Sequence, residues 1–201
     1  MFFRDSRGYS LIELLMVLAI LGVLAAVTVP MSGNAIRFLK VSGDARELSN
    51  ATAVAKMRAA AKFTQSRLYI DITGRQFYVQ TLDKSTSTWS TEGGAVSLSS
   101  TVSFSFGPIT DPPPDTQTTI AQAPACINMV GSPATPVAVA NTACLVFNSR
   151  GLPIDSTGSP TGLDAIYITD GGAVYGITVA ATGFIRTWQS HYTATPTWTL
   201  Q

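Results

Sequence analysis

The sequence predicts an α+β protein, a long N-terminal helix with a transmembrane first half followed by a mainly antiparallel β globular domain. Two patterns predict it. A run of apolar residues from Tyr9 to Val29 holds a single charge, Glu13, and beyond residue 67 short segments alternate apolar and polar residues between turn-forming residues. Composition agrees: of 201 residues, 46% are apolar and 12% charged, too apolar a chain to be disordered as a whole. Lys+Arg 13 against Asp+Glu 12 gives a net charge of +1, which leaves no summed field to hold nucleic acid.

The apolar run of 21 residues would make a helix ~32 Å long, enough to cross a bilayer. Three readings compete for it: a secretory signal peptide, a plain anchor, and an anchor whose glutamate has a task. A signal peptide has a short uninterrupted apolar core and a small-residue cleavage site, for which Ser32 to Ala35 is a poor candidate. A carboxylate near the bilayer centre costs about 2.5–3.5 kcal/mol, less near an end, so Glu13 is either a tolerated snorkelling side chain or one kept to meet a cation inside an apolar assembly. A free α-amino group on a neighbouring chain would be such a cation.

Arg7-Gly8-Tyr9-Ser10-Leu11-Ile12-Glu13-Leu14-Leu15 resembles the class III, prepilin-type processing site of type IV pilins and type II secretion pseudopilins. The resemblance implies that a prepilin peptidase cuts after Gly8, releasing residues 1–8 as a leader, and methylates the new N-terminus on Tyr9. Family members most often carry Phe at that position. Glu13 then becomes the fifth mature residue, pairing with the N-terminal amine of an adjacent pilin or pseudopilin subunit in a homo- or hetero-filament. Gly22 and Pro30 fall where the family places residues that weaken the helix, and glycine and proline do lower helix stability. Charge does not settle orientation, because Arg4 and Arg7 precede the run while Arg37 and Lys40 follow it. The resemblance implies a single-pass inner-membrane protein, held in lipid before assembly, with its body in the periplasm.

Residues 30–66 complete the helix in this reading: Val41, Ala45, Leu48, Thr52, Ala55, Ala59 and Phe63 recur every three or four positions, and Gly43 is its soft point. The basic residues on 35–67 are scattered, with no interleaved aromatics for base stacking, and read as a solvated face. The β domain, 67–201, begins with RLYIDIT and QFYVQTL around Gly74-Arg75. AVSLSSTVSFSFG, TACLVFN, DAIYITD, AVYGITVAA and GFIRTWQ follow as strands, with Gly171-Gly172 as a hairpin signal. Residues 107–143, rich in Pro, Ala and Thr, read as an extended loop. Cys126 and Cys144 belong to no metal-binding pattern and read as a disulfide tying that loop to TACLVFN, in keeping with an oxidising periplasm.

Three further landmarks, Met57 to Lys62, Val146 to Gly151 and Thr182 to Trp188, resemble in order and spacing the H-type minor pseudopilins, the GspH/FimT-like proteins. The long Pro-rich insertion and Met57 depart from that pattern. The resemblance implies a low-copy subunit near the filament tip.

Nothing points to catalysis, a cofactor or a metal. The single histidine, His191, has no Gly-x-Ser-x-Gly elbow to serve. Cys144 sits in an apolar strand, and Asp111, Asp115, Asp155, Asp164 and Asp170 lack EF-hand spacing. Trp188 and Trp198 read as packing residues, and Asn50-Ala51-Thr52 as a chance glycosylation triplet. The function expected is a structural subunit, a minor pseudopilin or minor pilin, of a type II secretion pseudopilus or type IV pilus. The alternatives are a DNA-binding or adhesive minor pilin, or a major pilin. With only Arg150 and Arg186 basic beyond residue 92, the sequence argues against DNA.

Overall fold

A computed structural model describes residues 9–130, 135–192 and 196–201, without the side chains of 27–32, 34 and 130. The chain divides into two compact units, Met1–Arg37 and Phe38–Gln201. One helix, α1 (Leu11–Ala61, 51 residues), supplies the helical structure among the described residues of the first and opens the second.

Within the second unit α1 buries the stripe that its sequence spacing predicts. Val41, Ala45, Leu48, Thr52, Ala55 and Ala59 are all at most 1% exposed, and Thr52 keeps its hydroxyl satisfied by donating to the Leu48 carbonyl at 2.8 Å. Phe63 is a correction. Expected on that stripe, it is 74% exposed, because the helix stops at Ala61 rather than 66 and Phe63 adopts the left-handed conformation at φ 50°. Such a residue past the last turn lets the following amide reach back, here Thr64 N to the Ala59 carbonyl at 3.2 Å.

The body holds two antiparallel sheets and a separate hairpin. The first sheet joins β1 (Ser66–Asp71), β2 (Gln76–Asp83), β3 (Thr88–Ser97), β6 (Thr142–Phe147) and β7 (Pro153–Ile154) in the order β3-β2-β1-β6-β7. The second joins β8 (Asp164–Thr169), β9 (Ala173–Val179), β10 (Ile185–His191) and β11 (Thr199–Leu200) in the order β11-β10-β9-β8. The hairpin pairs β4 (Ile127–Val130) with β5 (Thr135–Ala138). Period-two alternation sends Leu68, Ile70, Phe77, Val79, Leu145 and Phe147 into one core with the α1 stripe, which Ile166, Ile168, Tyr175 and Ile177 of the second sheet complete.

Two expectations change here. The strand expected over 95–107 ends at Ser97; β3 lies mostly upstream of it. Residues 98–107 are irregular yet buried at Leu98, Val102 and Phe104, so their alternation reflects core contact without a ladder, apart from the mutual Ser103–Thr169 pair at 2.9 Å. The segment 107–143 is not only a loop, since it contains β4 and β5. It covers the outer faces of the sheets: Ile109 and Ile120 pack with Ala165, Tyr167 and Val174, and Gln122 bonds both the Tyr167 amide and its carbonyl, closing the β8 edge. The Cys126–Cys144 disulfide, with Cα atoms 4.9 Å apart, ties the rest of the segment to β6.

At the end of α1, Glu92 on β3 takes a hydrogen bond from the Thr81 hydroxyl at 2.6 Å and pairs with Lys62 and with Arg58 Nε at 3.2 Å. The Lys62 and Thr81 hydrogen bonds hold its carboxyl below the usual carboxylate range. A carboxylate depressed on folding adds stability above its unfolded pKa and loses it as pH falls through the folded value. Arg58 and Lys62 are about half exposed, so the contribution is about 1 kcal/mol or less. Glu92→Gln is therefore expected to lower the melting temperature at pH 7 and to lower it less at pH 2, as the carboxyl takes up its proton. An equal deficit at both pH values would disprove the ion-pair account.

Candidate processing and assembly segment

The helix start is written in the sequence just after the expected cleavage position. Gly8 lies outside the described residues. Tyr9 is 86% exposed, and the Ser10 carbonyl accepts from the amides of Glu13 at 3.1 Å and Leu14 at 3.2 Å, which makes Ser10 the N-cap. Ser10-Leu11-Ile12-Glu13 has the S-x-x-E spacing of a capping box, with Glu13 as third helical residue in the first turn, where the helix dipole favours an acid. Sequence reasoning passed over Ser10, although that spacing was legible. The first-turn position thus favours the Glu13 charge independently of the intermolecular pairing that the resemblance implies.

From Leu11 to Leu24 the helix is apolar on every side except at Glu13. Leu11, Ile12, Leu14 and Leu15 point in successive directions around the axis, and each is more than half exposed; the same holds for Leu18, Ile20, Leu21, Val23 and Leu24. A helix without a polar face gains nothing from water and needs an apolar surrounding on all sides. Among the described residues no helix is long and apolar enough to cross a membrane; the described side chains of this run stop at Ala26. Gly22 sits in open space, where an added Cβ would meet nothing within 4 Å, and the helical backbone continues through Pro30, whose side chain is outside the description.

In the body, two of the landmark segments meet at Lys56, the residue just before the third. Lys56 of α1 donates from Nζ to the Gly183 carbonyl at 2.9 Å, and its stem would lie 3.2 Å from a Cβ at Gly151. Gly183 has φ 76°, and a Cβ there would sit 2.5 Å from the Gly151 carbonyl oxygen. Two turns and the helix are thus packed too closely for side chains. Gly183→Ala combines left-handed strain with that clash and is expected to cost about 2–4 kcal/mol, or about 4–15 °C in Tm, read from a thermal melt. A shift below 2 °C would show that the turn relaxes freely.

Outside this cluster Arg67 is the residue that sequence reasoning missed. Counted there among solvated basic residues, it is 2% exposed. Its Nε donates to Gln80 Oε1 at 2.8 Å, one terminal nitrogen to the Ile127 carbonyl at 2.7 Å and the other to Asn128 Oδ1 at 2.8 Å, with the guanidinium 4.1 Å from the Trp89 ring centroid. Alternation around Leu68 and Ile70 put Arg67 on the outer face of β1; the missing information was that β4 covers that face. Burial lowers its pKa to about 10, so it stays charged at neutral pH.

The remaining candidates have structural partners. His191 shares a hydrogen bond with Gln189 at 2.8 Å. Trp188 donates its indole N–H to Thr178 at 3.0 Å, and Trp198 to the Asp111 carbonyl at 2.8 Å beside Tyr167. Asp155 holds its own turn, accepting from the Thr157 and Ser159 amides. Among the described residues no group of three or more His, Cys, Asp or Glu is placed to hold a metal ion.

Residues 3–29 match the family described as the prokaryotic N-terminal methylation motif. No curated protein matches the chain. Among solved structures it is similar to the minor pseudopilin EpsH from the type 2 secretion system of Vibrio cholerae, at 10% identity and a TM-score of 0.37, over 81% of this chain and 96% of that one. The matched segment, 27 of the 201 residues, contains Tyr9, the Ser10 cap, Glu13 and the apolar start of α1.

Proposed function

We propose that the chain is a structural subunit of a pilin-like filament, a minor pseudopilin of type II secretion or a minor pilin, held in the inner membrane with its body in the periplasm until assembly. In this reading a prepilin peptidase cuts after Gly8 and methylates Tyr9, and α1 then exchanges lipid for the helices of other pilin or pseudopilin subunits. The observation that carries the reading is the methylation-motif match over 3–29, falling on a helix capped at Ser10 and apolar on every side. Because lipid is as apolar as a neighbouring helix, association must draw on shape and on polar pairing, the task assigned to Glu13.

Mass spectrometry of the native protein from membrane and sheared-filament fractions tests this. An N-methylated Tyr9 terminus at low abundance beside a main subunit is the expected result. A chain still beginning at Met1, or cut near Ala35, would overturn the processing reading, and high abundance would make it a major subunit.

A further inference from the structure

No further inference is drawn: the strongest candidate, the pocket of about 270 Å³ beneath the 107–143 segment, is lined both by the acids Asp155 and Asp164 and by the buried Arg67 guanidinium, already engaged by Gln80, Ile127 and Asn128, and nothing in the structure shows which ligand these opposed charges would hold.

Discussion

Glu13→Ala is expected to leave cleavage after Gly8 intact and to reduce the subunit in sheared filaments more than about tenfold. The size follows from the cost of a lost partner: a cation left unpaired among apolar helices forfeits at least 2 kcal/mol, and 1.4 kcal/mol is already tenfold. The capping geometry complicates this variant, because alanine also removes the acid from the first helical turn, where Ser10 and Glu13 have capping-box spacing. Glu13→Gln separates the two tasks, since glutamine serves a capping box as glutamate does but carries no charge. If the carboxylate pairs with a neighbouring N-terminal amine, Glu13→Gln assembles as poorly as Glu13→Ala. Wild-type incorporation of Glu13→Gln would reduce Glu13 to a helix cap and sink the pairing role.

The N-terminal half of this architecture was legible because its signals are local. A run apolar on every face, a Ser-to-Glu spacing of three, and a stripe at Val41, Ala45, Leu48, Thr52, Ala55 and Ala59 each need only the helical period. The stripe failed at its last member, Phe63, because periodicity continues until a residue turns left-handed, and phenylalanine gives no warning of doing so. The strands flanking tight turns were legible for the same local reason. Residues 98–107 were not, since burial of alternate residues against a core looks the same with or without a hydrogen-bonded partner strand.

The least legible part is the insertion, and the reason is physical. Its β4–β5 hairpin is not joined to either sheet; besides hydrogen bonds between its flanks and β6, it is held on the outer face of the first by one covalent bond and one buried cation. The cysteines announced the first tie. Nothing in the neighbourhood of Arg67 announced the second, because the same alternation puts a basic residue outward whether water or another segment lies beyond.

Arg67→Ala is accordingly expected to cost the body about as much stability as Gly183→Ala. It strands the Gln80 and Asn128 amide oxygens and the Ile127 carbonyl, and it opens a cavity beneath Trp89. Unsatisfied buried acceptors cost about 1–3 kcal/mol each, partly offset because a desolvated cation is no longer buried. The net loss is expected near 3 kcal/mol, about 6–12 °C in Tm for a chain of this length. Arg67→Met refills much of the volume without the charge and should recover part of the loss, which distinguishes cavity from hydrogen bonds. The cystine still holds Cys126 in both variants, so the damage should be local: faster amide exchange at Ile127 and Met129, unchanged exchange at Leu68 and Ile70. An Arg67→Ala protein with wild-type Tm and unchanged exchange over β4 would show that the disulfide alone fixes the insertion.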